Sequence, residues 1–432
     1  MRNAPKARGQ GQSPTEVHFL DGMSNDIVFR AFKVSVMSEK VLTQWGKARA
    51  VAGFRAFSML GSEITVFALV LRERGHGAGF VGILMAAGTI SLVAMLPLAG
   101  WISDRFSTKQ IIPFTSFLQA GLILSLIYQH NMVSLSITVF LSSSCGAIEN
   151  PALMALMPTL VNQEDFTKQM GFAQSIYAIA GFAAPAIGGI LVSQTGYQAP
   201  FIIDALTFLF LAMAPFLLNV NRRSSTSAAG EKIKANDGLK YIYANSHLRS
   251  LAILITGFLF AAGTVSVAGL FLLTKVLHAS VLIYGLSGAA SAIGMFLGGV
   301  VLMKFQIPPE KQTKAISLIL ISCALLIILL SVSQHWAQVL ILDLIFGLLS
   351  SLLSTLVSTI FILSSPPEMR GRIGSALNAF FNLGMIGALL LSGVLVQLLG
   401  TRRLLFCAGV EALVLVAILS PVTLKRAKAI AS

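Results

Sequence analysis

The sequence predicts an all-α membrane protein, with twelve transmembrane helices arranged as two pseudo-symmetric six-helix bundles. Three observations carry that expectation. Hydrophobic residues make up 55% of the 432-residue chain and charged residues 11%, at a mean hydropathy of +0.81; a soluble domain carries about 25% charged residues to stay in water. Twelve apolar stretches follow one another between Arg49 and Lys425. The longest polar break among them, Asn221 to Ser246, divides the series six and six.

Each stretch is long enough to cross a bilayer, which takes about 20 mostly apolar residues. Backbone amides find no water in the hydrocarbon core, so a crossing segment is either a helix or a strand of a closed barrel. Barrel strands alternate over about 10 residues, and these segments are longer and do not alternate. Spans are expected at 50–71, 78–100, 111–129, 132–156, 169–193, 197–219, 250–274, 280–303, 315–333, 336–363, 373–399 and 401–421. Pro97, Pro185 and Pro215 fall inside spans, where neighbouring helices absorb the disturbance. The expected organisation is a tail at 1–48, a first bundle at 49–220, a linker at 221–248, a second bundle at 249–421 and a tail at 422–432. Residues 1–45 lack a continuous apolar core before a cleavage site, so no leader is expected there. They read as a cytoplasmic arm, with translation from Met23 or Met37 as the alternative.

The net charge of +14 is a topological signal. Of the 31 Lys and Arg residues, 25 fall on the side of the chain termini and 5 on the other. By the positive-inside rule both termini face the cytoplasm, which puts the chain in the plasma (inner) membrane and removes the case for nucleic-acid binding. Cys145, Cys323 and Cys407 lie far apart within spans and lack metal-ligand spacing. The six His residues sit in the tail, gaps or span ends rather than in a cluster, so neither a metal nor an embedded enzyme is expected. No phosphate-binding lysine loop is present, which argues against direct ATP drive; no cofactor is expected. A faint repeat supports the division into halves. Glu164 and Lys168 precede span five as Glu368 and Arg372 precede span eleven, and Gly171 and Gly181 match Gly374 and Gly384.

The gap after span two reads Gly100-Trp-Ile-Ser-Asp104-Arg105-Phe-Ser-Thr-Lys109. It resembles the signature of the major facilitator superfamily, with Gly100, Asp104, Arg105 and Lys109 matching and Ser107 in place of a glycine. The resemblance implies a latch on the cytoplasmic side. Gly100 would let helices two and eleven approach, and Asp104 would meet the positive N-terminal end of helix eleven near Arg372–Ser375. Span five, with Gly171, Pro185, Gly188 and Gly189, looks like the antiporter signature of drug:proton exchangers, although Ala180 and Ala184 stand where glycine is usual. Phe201-Ile-Ile-Asp204-Ala-Leu-Thr-Phe208, Asn150-Pro151-Ala152 and the run 367–372 resemble the macrolide- and siderophore-efflux branch.

Ionisable groups at bilayer depth are costly and therefore functional candidates. Arg55 and Glu63 lie eight apart on span one, about 12 Å along the axis and within about 80° of one face. Because helix one lines the cavity in this family, the resemblance makes Glu63 the first candidate for a proton-binding carboxylate. A static ion pair is the bland reading. Asp204 reads as a capping, bonding or coupling group. Asp343 has apolar neighbours and no counterpart in the branch signature. Glu149 is expected only to reach the membrane interface. Many exporters of the family carry an Arg in span four, whereas residues 132–156 hold neither Lys nor Arg. Asn378 and Asn382, one turn apart on span eleven, read as cavity-lining or helix-bonding amides.

The resemblance implies a secondary transporter, not an enzyme. It would work as a monomer in the lipid bilayer and export a lipophilic or amphipathic small-molecule substrate (drug, macrolide or siderophore class) in exchange for protons. A lipid or metabolite facilitator on the same scaffold is the alternative.

Overall fold

A computed structural model describes residues 43–221, 236–304, 307–366 and 369–431. Residues 1–42 of the expected tail, 222–235 of the expected linker, and Pro367 and Glu368 lie outside the described residues. Twelve long helices make up the described chain. They are α1 (Trp45–Glu73), α2 (Ala78–Arg105), α3 (Thr108–Ser125), α4 (Met132–Leu160), α5 (Gln163–Thr195) and α6 (Gln198–Leu217). After a short helix, Asn236–Ala244, come α7 (Ser246–Phe271), α8 (Val281–Lys304), α9 (Pro309–Val332), α10 (Trp336–Leu363), α11 (Arg370–Leu399) and α12 (Thr401–Ala431).

Eleven of the described helices are long and apolar enough to cross a membrane. The exception is α3, whose 18 residues include Lys109, Gln110 and Gln119. It keeps its place in the series by packing against α4 and α6. Helix ends overrun the expected spans: α1 begins at Trp45, inside the expected tail, and α12 continues through Pro421 to Ala431.

Polar residues set where the helices start and stop. Ser107 and Gln110 form a reciprocal capping box at α3. Asn131, Asn162 and Asn245 accept from the first free amides of α4, α5 and α7. At the opposite ends, α5 and α11 stop at Gly196 (φ +75°) and Gly400 (φ +79°), a left-handed conformation that favours glycine. These two glycines are 204 positions apart, the offset of the sequence repeat.

Helix pairing repeats between the halves. α1 packs on α5 and α6 as α7 packs on α11 and α12. α2 packs on α4 as α8 does on α10, and α3 lies against α4 and α6 as α9 lies against α10 and α12. The two six-helix bodies are joined by two seams, α2–α11 and α5–α8, which are themselves equivalent under this relation.

Both seams lie toward one end of the molecule, the distal end, away from Trp45 and Ala431. There a Cβ on Gly393 would come within 2.7 Å of both the Ala78 carbonyl and Gly79 Cα, and one on Gly82 would strike the Leu389 carbonyl. On the other seam, Gly189 and Gly285 leave room for backbone contact, with Pro185 over Gly288. Phe67 of α1 stacks on Tyr284 of α8 at 5.1 Å. One buried apolar cluster crosses between the halves here, from Phe67, Val70 and Val81 to Phe271, Leu389 and Val396. Toward the terminal end the glycines of these helices are not in close contact. A Cβ on Gly100 (α2), Gly171 (α5) or Gly374 (α11) would meet nothing within 4 Å.

Within the second body, α8 and α10 are packed backbone to backbone at Gly294, Gly298 and Gly347. Small residues of this kind let helices associate in lipid, where apolar burial alone gives no drive. Replacing Gly294 or Gly347 by Ala is expected to cost about 1–3 kcal/mol through overpacking, lowering the melting temperature of the detergent-purified protein. Gly100→Ala is expected to leave that melting temperature unchanged.

Candidate functional site: a carboxylate-lined central cavity

A cavity of about 490 Å³ opens between α1, α2, α3, α4 and α6, closed on the far side by Ser266 of α7 and Met385 and Leu389 of α11. It extends along α1 from Arg55 to Val70, about 22 Å of helix axis. Its lining divides between apolar residues, chiefly Leu, Val, Ile and Met, and polar ones, among them Ser62, Thr65, Thr89, Gln119, Ser142, Ser143 and Asn150. Three charged groups line it: Arg55, Glu63 and Asp204.

The structure re-pairs these charges relative to the sequence reading. Arg55 Nη1 lies 3.5 Å from Glu149 Oε2 on α4, and its Nη2 donates to Asn150 Oδ1 at 2.8 Å. Glu149 is completely buried, and Ser116 Oγ and Thr115 Oγ1 of α3 donate to its Oε1 at 2.9 and 3.4 Å. Two corrections follow. Glu149 does not reach the interface; it is an interior ion-pair partner, since the start of α4 lies at the distal end and position 149 falls well inside the helix. The cation of Arg55 is engaged across helices with Glu149, not along α1 with Glu63. Sequence reading found α4 without a cation, and the cation that meets its carboxylate comes from α1.

Glu63 projects into the cavity with its side chain exposed there. Asp204, by contrast, is fully buried in the α1–α6 contact at the cavity wall. Gly61 makes that contact possible: a Cβ there would stand 2.5 Å from Thr207 Oγ1 and 2.7 Å from Asp204 Oδ1.

The remaining candidates lie elsewhere. Asp343 sits in the α8–α10 contact, where Ser287 Oγ donates to its Oδ2, and it does not line the cavity. Asn378 is exposed and Asn382 half-buried on α11, and neither lines the cavity. Gly188 packs on the Phe67 ring, and Pro185 and Gly189 form the α5–α8 seam. Of the Gly100–Lys109 signature, Asp104 is exposed, the Arg105 guanidinium lies 5.3 Å from the Trp101 ring centre, and Lys109 Nζ donates to Asn219 Oδ1 at 2.9 Å within its own half. Close contact between α2 and α11 occurs at Gly79, Gly82 and Gly393, not at Gly100.

Two six-helix bodies around an amphipathic, carboxylate-bearing cavity define a membrane transporter. Residues 51–386 match the Major Facilitator Superfamily model, and the chain belongs to that family. It is 24% identical over 390 residues to the macrolide efflux protein A of Streptococcus pyogenes, covering 85% of this chain and 93% of that one. It is 26% identical over 241 residues to the staphyloferrin A transporter of Staphylococcus aureus (strain NCTC 8325 / PS 47), covering 53% of this chain and 59% of that one. Among solved structures, a POT family transporter in complex with 5-aminolevulinic acid superposes with a TM-score of 0.71 at 13% identity, covering 89% of this chain and 99% of that one. A bacterial homologue of the human lysosomal transporter Spinster, inward-facing and unoccupied, gives 0.65 at 14% identity, covering 88% and 97%.

Removing one member of a buried ion pair leaves the other charge uncompensated, at a cost of about 3–5 kcal/mol. Arg55→Met is therefore expected to destabilise the purified protein strongly, and the double variant Arg55→Met/Glu149→Gln to recover most of the loss. Thermal melts of the two variants check this. Equal or greater loss in the double variant would contradict the pairing.

Proposed function

We propose that this transporter exports a lipophilic or amphipathic small molecule from the cytoplasm in exchange for protons, by alternating access of the central cavity. The observation that carries the reading is Glu63. It is a carboxylate exposed to a largely apolar cavity at bilayer depth, and the one cation lining that cavity, Arg55, is engaged by Glu149 and Asn150. Such a carboxylate is held by whatever positive charge it can take up, a proton or a cationic group on cargo. The apolar walls with scattered hydroxyls and amides suit a molecule that is mainly greasy with a few polar groups.

The direction rests on topology and relatives. With 25 of 31 basic residues on the terminal side, that side faces the cytoplasm, and the end away from the glycine seams is the inward one. The cavity is then loaded from the cytoplasm. The names of the relatives, macrolide efflux protein A and staphyloferrin A transporter, support export of drug- or siderophore-like cargo. With the terminal end closed, Asp104, meeting the N-terminal end of α11, would form the latch that the signature implies. Parting of the glycine seams at the distal end would complete the exchange of access. The same reading takes the transporter as a working monomer.

In inverted membrane vesicles carrying this protein, an imposed proton gradient is expected to drive concentrative uptake of a macrolide probe. Collapsing the gradient should abolish the accumulation. Glu63→Gln is expected to lower gradient-driven uptake at least about tenfold, as loss of a general proton carrier does, while exchange of labelled for unlabelled probe persists. Concentrative uptake that survives gradient collapse would rule out proton exchange.

A further inference from the structure

Asp204 stands on α6 where that helix meets α1, completely buried at the cavity wall. Ser62 Oγ lies 3.5 Å and Thr207 Oγ1 3.3 Å from its Oδ1, and Thr65 of α1 lies alongside. An O–H···O hydrogen bond normally spans 2.5–3.0 Å, so these separations are long for donation to a carboxylate. Two of these hydroxyls also have backbone acceptors in reach: the Ser58 carbonyl lies 3.1 Å from Ser62 Oγ, and the Asp204 carbonyl 2.7 Å from Thr207 Oγ1. A hydroxyl has one proton and two lone pairs, so each can donate to the carboxylate or offer a lone pair to a cation. Asp204 Oδ2 and Thr65 Oγ1 are themselves buried without a hydrogen-bond partner. Side-chain oxygens from α1 and α6 therefore converge around one carboxylate, with no protein cation among them. Arg55, the cation on the same cavity, is spent on Glu149 and Asn150.

We propose that Asp204, Ser62, Thr65 and Thr207 form a binding site for a monovalent metal cation, sodium, between α1 and α6. A hard cation takes oxygen ligands, and oxygens held at about 2.4 Å, the distance typical of calcium and of the similarly sized sodium ion, stand about 3.4 Å apart along an octahedral edge. The observed separations of 3.3 and 3.5 Å match that edge. One carboxylate balances one positive charge, whereas a divalent ion would leave an excess charge at bilayer depth. Gly61 lets α1 and α6 come close enough to bring these oxygens together, because a methyl group there would crowd Thr207 Oγ1 and Asp204 Oδ1. A bound ion would tie α6 to α1 at the edge of the cavity, next to Glu63. Since it needs no assumption about cargo or proton exchange, the proposal is tested by binding rather than transport.

The experiment is a melting curve of the detergent-purified full chain in sodium chloride, potassium chloride and choline chloride at equal ionic strength. Sodium is expected to raise the midpoint saturably by about 3 °C, as a ligand that binds only the folded state does, and the other two salts are not. Asp204→Asn should abolish the sodium shift. Ser62→Ala and Gly61→Ala keep the carboxylate, so they report on the site even if Asp204→Asn folds poorly; each should weaken apparent sodium affinity about tenfold or more, through loss of an oxygen ligand or of space. Glu63→Gln should retain the sodium shift. Equal midpoints in all three salts would overturn the site, as would a midpoint that follows pH but not sodium, which would put a proton on Asp204.

Discussion

A charge at bilayer depth must be compensated, and this constraint organises the interior of the transporter more than any other. The hydrocarbon core penalises an isolated ion by several kcal/mol. Arg55 and Glu149 meet that demand across the α1–α4 contact, with Ser116 and Asn150 completing their hydrogen bonds. Asp343 takes a hydroxyl donor from Ser287. Glu63 and Asp204 have no protein cation beside them, and both lie at the cavity, where a mobile positive charge can reach them.

A second constraint is steric. Apolar side chains gain little by leaving lipid for a helix interface, so helices in a membrane associate through close packing. Here glycines supply that closeness, most tightly where α2 meets α11, α5 meets α8 and α8 meets α10. The first two contacts join the halves toward the distal end, where Phe67 and Tyr284 and a shared apolar cluster also cross between them. At Gly100, Gly171 and Gly374 a Cβ would meet nothing within 4 Å.

Much of the fold was legible in the sequence because lipid leaves a chain few options. Apolar stretches of the right length had to be helices, and the polar break at 221–246 marked the division into halves. The third helix was read less well: Lys109, Gln110 and Gln119 dilute its apolarity, and its boundaries shifted by three to four residues to Thr108–Ser125. The site was only half legible. Glu63, Asp204 and Arg55 could be singled out one at a time, since a charge inside an apolar run is visible without a structure. Their partners could not. Whether Arg55 meets Glu63 or Glu149 depends on how α1 and α4 are rotated about their axes, which low amphipathicity in a lipid-exposed helix does not reveal. Asn378 and Asn382 share a helix face as expected, yet that face is not on the cavity. Gly100 illustrates a different gap: its motif is legible in the sequence, yet the glycine contacts between α2 and α11 lie at Gly79, Gly82 and Gly393.

The central claim is that the two six-helix bodies, closely packed at the distal end in this structure, exchange this arrangement for one closed at the terminal end. Spin labels on α2 and α11 test it directly, one pair replacing Gly100 and Gly374 and another replacing Gly79 and Gln397, with the native cysteines removed. Pulsed dipolar spectroscopy of the protein in membranes should show the first pair closing as the second opens when substrate or proton load is changed. Fixed distances for both pairs, or distances that lengthen together, would contradict the account.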